Sequence, residues 1–331
     1  MFFLNFTVPY SEREDQNMKI DIRVMEVTDV PDIIQGWNSC LPYDQISEER
    51  FKHVIFDDAN YEKDCCLVAI NDGKIVGFIC AVASEDMLGA DDDDKPEYNK
   101  TLGYIKGFYV LEEFRRNWIG SKLLDGAIEY VKSKGKVYVR LLEYTGNYFF
   151  PGVDIRYESA ISFLESKGFY REYILNDVDI DLIDFEIGDY QKNARQKMKK
   201  FGVHVEDYDP SMLNEMREFA KKLGIISWFP DGWEDWFKAK GNKVVALKGD
   251  EIVGWASFNV NGDIGWFGPT GVLEDMRCNG IGSCILLESV LQMKNAGAKR
   301  VIASWANTPF YTVNGWKICR QYGVFEKQIS E

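Results

Sequence analysis

Apolar and polar residues alternate through 68–78, VAINDGKIVGF, and again through 245–255, VALKGDEIVGW. A period of two marks half-buried strands, and the polar centre of each segment fits a tight turn, so both are predicted as hairpins. A period near 3.6 appears at 210–223. Leu213, Met216, Phe219, Ala220 and Leu223 form one stripe, with Asp209 placed to cap the helix, Pro210 in its first turn and Gly224 at its stop. Beyond the second hairpin the pattern predicts a strand ending at Val272, a helix stopped by Gly297, a strand in RVIASWA, a short helix in PFYTVNG and a last strand in VFEKQI. Earlier in the chain YIKGFYV, KLLDGAIEYVKSKG, VYVRLLEY, SAISFLESKG and EYILNDVDIDL run through the same order.

The chain therefore repeats itself. Gly77 and Gly254 lie 177 residues apart, Arg115 and Arg277 162, and Gly168 and Gly315 147. The order of parts is kept while two insertions in the first copy, around GADDDDKPEYNK and TGNYFFPGVDIRY, shift the register. The expected organisation is an extension at 1–18, a first unit at 19–185, a polar helical linker at 186–202 and a second unit at 203–331. Each unit is expected to be a mixed α/β sheet covered by helices.

Composition narrows the function classes. At 331 residues, two domains are the better expectation. A net charge of −14 repels nucleic-acid phosphates and favours cationic small partners. No apolar run has the roughly 18–20 residues of a membrane helix, and the first residues do not read as a signal peptide. Seven scattered cysteines without a CxxC pair, and two histidines, argue against a disulfide framework and a zinc site and suit the cytoplasm.

The chemistry gathers at MRCNGIGS (276–283) and FRRNWIGS (114–121), each between a predicted strand and a predicted helix. A helix start offers free N–H groups to an anion, glycine lets the backbone come close, and Arg277 adds fixed charge, which suits a pyrophosphate. A Walker loop would need Gly-Lys-Ser/Thr, and a dinucleotide loop would need glycine where Ile285 stands.

GVLEDMRCNGIGSCIL resembles the acyl-CoA loop, Q/R-x-x-G-x-G/A, of the GCN5-related N-acetyltransferase (GNAT) family, and ANTPFYTVNGW resembles its closing Tyr-x-x-x-Gly-aromatic segment. The resemblance covers both units. It implies an α/β fold of two tandem GNAT-like domains, each a mixed central sheet with helices on both faces. It also implies transfer of an acetyl group from acetyl-CoA, or another acyl-CoA, to a primary amine of a small molecule or peptide, by direct attack. In the second unit the N–H near Val272 would polarise the thioester, and Arg277, Cys278, Asn279, Gly280, Ile281, Gly282 and Ser283 would hold the pyrophosphate. Tyr311 would protonate the leaving thiolate. In the first unit Val110, Arg115, Arg116, Gly120 and Ser121 match. There Leu164 stands where Tyr311 does, and Trp118 replaces Gly280 and is expected to crowd the anion site.

The active site is accordingly expected in the second unit. The alternatives are a non-catalytic acyl-CoA sensor or scaffold, and an enzyme active in the first unit with Tyr148 or Tyr157 of its insertion supplying the missing chemistry. Glu234, Asp235 and Asp263 are candidate bases. DDDDK (91–95) reads as a solvated loop, SWFPDGWEDWF (227–237) as a packed helix entry, and His53 and His204 as packing or surface residues. Trp228 and Trp236 are expected to need cover between the units.

Overall fold

A computed structural model describes residues 19–83, 100–144, 147–228, 233–239 and 241–330, with the side chains of 227 and 228 left out. The extension at 1–18, the acidic run at 91–95 and the Trp228 side chain lie outside the described residues.

The first repeat comprises β1 (Ile20–Val24), α1 (Val30–Cys40), α2 (Glu48–Ile55), β2 (Cys66–Asn71), β3 (Lys74–Val82), β4 (Leu102–Val110), α3 (Ile119–Ser133), β5 (Tyr138–Leu141), β6 (Val153–Asp154), α4 (Glu158–Ser166) and β7 (Tyr170–Asp181). The linker is helix α5 (Asp189–Lys200). The second repeat comprises β8 (Val203–Asp207), α6 (Leu213–Leu223), α7 (Trp233–Lys238), β9 (Lys243–Lys248), β10 (Glu251–Asn261), β11 (Ile264–Val272), α8 (Ile281–Asn295), β12 (Arg300–Ala303), α9 (Thr308–Val313) and β13 (Lys317–Gln328). Asp209 caps a short 3-10 turn, Pro210–Met212, ahead of α6, and Gly224 stops that helix with a φ of 76°. Met216, Phe219 and Ala220 of the predicted stripe are buried.

Repeated packing confirms the duplication. A Cβ on Gly77 would stand 2.9 Å from Leu123 of α3, and one on Gly254 would stand 2.7 Å from Ile285 of α8. Helix and hairpin approach closely only because both positions lack a side chain. The next residue along each strand faces the other way: Phe78 meets Trp37 of α1, and Trp255 meets Phe237 of α7. Helices therefore cover both faces of the sheet.

The 13 strands of the described residues form one continuous sheet in the order β1-β2-β3-β4-β5-β13-β7-β12-β11-β10-β9-β8, with β6 paired to β13. Two pairs are parallel, β4 with β5 and β11 with β12. The last strand of each repeat crosses into the other. β13 pairs with β5 and buries Phe325 in the first core, while β7 pairs with β12 and buries Val178 in the second. Charges reinforce the seam: Arg140 of β5 meets the fully buried Glu326 of β13 at 2.7 Å, and Tyr170 of β7 donates to the same carboxylate at 2.8 Å. Each repeat thus lacks a strand that only the other supplies.

Candidate active site

The two phosphate-type loops share one backbone. Arg116 and Trp118 have φ values of 67° and 61°, and Cys278 and Gly280 have 62° and 80°. Asn117 and Asn279 tie each turn by side-chain bonds to the carbonyls of Phe114 and Arg115, and of Met276 and Arg277. Arg115 donates through Nε to the Val110 carbonyl at 3.0 Å, and Arg277 to the Val272 carbonyl at 3.2 Å. Nε is thereby committed to the strand end in both copies. A Cβ on Gly120 would meet Phe108 and Phe163, and one on Gly282 would meet Phe310 and Val272. Ser121 is half-buried and Ser283 buried.

What covers the loops differs. Trp118 is 75% exposed, so its ring stands in solvent and is not packed into the core, on a backbone that is left-handed at 118. Gly280 is lined by the linker. A Cβ there would lie 2.5 Å from the Ala194 carbonyl oxygen of α5, and Lys197 donates to the Cys278 carbonyl. The helical prediction for the linker holds, but α5 packs on the second loop with Ala194 and Met198 buried. Ile281 is buried beneath it.

A slot opens in each repeat where the parallel strands part. β4 pairs with β5 only from Leu102 to Ile105. Lys106 is then a bulge, since Cys80 pairs with Gly107 and Ala81 with Ile105. A bulge bends its strand, here where β5 departs. The Leu111 N–H donates to Val76 across β3. Strand alternation then turns the N–H and carbonyl of Val110 to the slot side. The same relation, Leu273 to Val253, turns Val272 toward the second slot.

The first slot is an apolar cleft. Ile105, Phe108, Leu141, Phe163 and Leu164 form its walls, and Asp44, Asp154 and Tyr157 stand at its polar end. Arg320, which arrives on the exchanged strand β13, binds Asp44 and Asp154 at 2.6 Å each. Arg156 also pairs with Asp154 at 2.5 Å and stacks 3.6 Å over Tyr43. Burial pushes the Asp44 carboxyl above its ordinary value, against the opposing pull of Arg320 and Tyr157. Burial acts in the same sense on Asp154, but bonds from Arg156 and Arg320 outweigh it and hold that carboxyl low. The pair therefore splits: Asp154 stays ionised and Asp44 is the better proton acceptor. Burial also raises the Tyr157 hydroxyl, which accepts from the Tyr43 N–H at 3.1 Å.

Tyr311 sits on α9, 6% exposed, against Phe267, Phe310 and Trp316, and burial raises its hydroxyl. Leu223 of α6 packs over Gly271 of β11, where a Cβ would stand 2.3 Å away. The candidate bases of the second repeat are engaged at the surface. Glu234 pairs with Arg217, Asp235 with Lys238 and Asp263 with Lys299. His53 and His204 pair with Asp57 and Glu206 at the surface. Tyr148 of the insertion stacks on Trp305 at 5.9 Å, and Trp236 donates to Ser257. Sequence reasoning missed Asp44, Asp154 and Arg320. Asp44 lies between two helices and Arg320 in the other repeat, and no local pattern links them; the insertion that carries Asp154 was the one available signal.

The model of the acetyltransferase (GNAT) family matches residues 30–147 and 210–316. An uncharacterized N-acetyltransferase of Archaeoglobus fulgidus is 29% identical over 99 residues, which are 29% of this chain and 62% of that protein. A GCN5-related glucosamine N-acetyltransferase region of a fungal multi-domain GH3 β-N-acetylglucosaminidase has a similar structure, with a TM-score of 0.74 and 19% identity, over 94% of this chain and 38% of that one. A GCN5-related N-acetyltransferase of Sphaerobacter thermophilus has a TM-score of 0.68 and 16% identity, over 94% and 96% of the two chains. A tandem GNAT protein of the clavulanic acid biosynthesis pathway has a TM-score of 0.60 and 12% identity, over 95% and 99%. With the family model matched in both repeats, and tandem architecture shared along nearly the whole chain, the protein belongs to the acetyltransferase (GNAT) family.

Proposed function

We propose that the protein is an acetyl-CoA-dependent N-acetyltransferase that works in the cleft of the first repeat, with the second repeat completing that cleft. One observation carries this reading: an apolar cleft whose walls include Phe108 and Phe163, the two rings that border Gly120 of the loop, also holds the split carboxyl pair Asp44 and Asp154. Acetyl-CoA supplies the acyl thioester. The loop amides, the N-terminus of α3 and the guanidinium groups of Arg115 and Arg116 suit its pyrophosphate. The Val110 N–H, turned to the slot, stabilises charge that develops on the carbonyl oxygen. Asp44 takes the proton of the attacking amine, Asp154 with Arg320 holds Asp44 in place, and Tyr157 returns a proton to the departing sulfur. The acceptor is a primary amine of a small molecule or peptide, and the chain's net charge of −14 favours a cationic one.

The second reading places transfer at Tyr311. It is favoured by the intact RxxGxG loop and by Phe310 over Gly282, the counterpart of Phe163 over Gly120. One comparison separates the two. Polyamines, aminoglycosides, glucosamine and peptide N-termini are screened for coenzyme A release, and Asp44→Asn is then compared with Tyr311→Phe on the best acceptor. The first-repeat reading expects Asp44→Asn to lose ~10²–10⁴-fold in turnover while still binding acetyl-CoA. Full turnover in Asp44→Asn with the same loss in Tyr311→Phe would move the site to the second repeat.

A further inference from the structure

Three thiols meet in the first core, away from the slot. Cys65 ends a short turn, Lys63–Cys65, Cys66 opens β2, and Cys80 of β3 lies directly across from Cys66. Neighbours along a strand face opposite sides, so Cys65 and Cys66 could not share a point within regular β structure. The turn conformation at Cys65 brings its sulfur round. All three sulfurs lie within 4.8 Å of one another, with Cys65 and Cys66 at 3.6 Å, and all three residues are buried.

Zinc–thiolate bonds of about 2.3 Å in a tetrahedral set place sulfurs about 3.8 Å apart. The cluster needs only small side-chain rotations to reach that spacing. A further donor is at hand on α3, which packs against the Lys63–Cys65 turn: the Tyr130 hydroxyl is buried with no hydrogen-bond partner among the described residues. The buried Lys106 ammonium, held by Asp58 and the Val54 carbonyl, also acts on Cys65 and Cys80.

We propose that Cys65, Cys66 and Cys80 form a structural zinc site, with the Tyr130 hydroxyl facing the fourth position. Binding forms three zinc–sulfur bonds and releases the thiol protons to solvent, with no change of oxidation state. Zinc with three thiolates carries a single negative charge, near the Lys106–Asp58 ion pair. A monovalent ion would leave two such charges in an apolar core, which is costlier. The ion would pin the turn before β2 to the β2–β3 hairpin. The absence of CxxC spacing did not anticipate this, because the third sulfur arrives across a hairpin.

The test uses the full chain, refolded under reducing conditions with and without equimolar zinc chloride, then desalted. The expected result is one zinc per chain, a higher melting temperature than the metal-free protein, and release of the metal when a mercurial is added in excess over all seven thiols. Refolding with cobalt(II) is expected to give a thiolate-to-cobalt charge-transfer band. Cys80→Ser is expected to lose metal and band, while Cys319→Ser, at an exposed position, keeps both. No retained zinc and no cobalt band in the wild-type chain would overturn the proposal and leave three neutral core thiols. The wild-type measurements decide even if Cys80→Ser does not fold.

Discussion

Ala194 and Gly280 touch through their backbones: the carbonyl oxygen of the linker residue occupies the place where a side chain at 280 would begin. Glycine at that loop position therefore serves helix packing as well as the left-handed backbone. The tryptophan at the matching position 118 is tolerated because its side chain stands in solvent.

This relationship reverses the effect expected of exchanging the two residues. Gly280→Trp is expected to push α5 off the second loop and cost about 1–3 kcal/mol, the usual penalty of overpacking. Trp118→Gly is expected to stay within about 0.5 kcal/mol in denaturant melts, as surface changes do. Equal stability of Gly280→Trp and the wild type would contradict the contact with α5.

Tyr311→Phe tests whether the buried phenol is catalytic or architectural. The ring keeps its contacts with Phe267, Phe310 and Trp316. Turnover on an accepted amine is expected to stay within about twofold of wild type if transfer occurs in the first repeat. A loss of ~10²–10⁴-fold, as when a positioned acid is removed, would assign it the chemistry.

Arg320→Met removes the cation that Asp44 and Asp154 share. Breaking a buried pair from one side costs about 3–5 kcal/mol. The pH dependence has a definite sign. Asp154 is held below its ordinary value, so it contributes stability above that value, and this is lost as pH falls through its folded value. Asp44 is raised, so its ionisation opposes folding as pH climbs from the unfolded to the folded value. Without Arg320 both carboxyls move up. The deficit of the variant, read by urea melts, is expected to shrink as pH falls from about 8 toward the acid limit of folding. A deficit independent of pH would rule out the shared ion pair as its source.

The exchanged strands predict that neither repeat folds alone as a monomer. A chain ending at residue 185 keeps β7 but loses β13, leaving β5 paired only with β4 and Phe325 missing from the first core. It is expected to aggregate, or to pair with a second copy through β7. Mixing it with a 186–331 chain is expected to restore one cooperative melt. A monomeric, cooperatively folded 19–185 fragment on gel filtration would show the exchange to be dispensable.

Much of this was legible in the residue pattern, because hairpins, loops and helix stripes are set by neighbours a few positions apart. The alternation at 68–78 and 245–255, the stop at Gly224 and the paired loops at 114–121 and 276–283 stand where periodicity placed them. The loop motif also identified the family before any contact was known. Three things depended on the tertiary structure. Which repeat owns β7 and β13 is decided by pairing between residues more than 100 positions apart, such as Ala303 with Val178 and Phe325 with Leu141, to which periodicity within either strand is blind. That Trp118 stands in solvent while α5 lies over the other copy depends on the packing around each loop. The grouping of Asp44, Asp154 and Arg320, like that of Cys65, Cys66 and Cys80, arises only when separate strands and turns converge. Their chemistry rests on burial and proximity, which the fold creates and linear order does not encode.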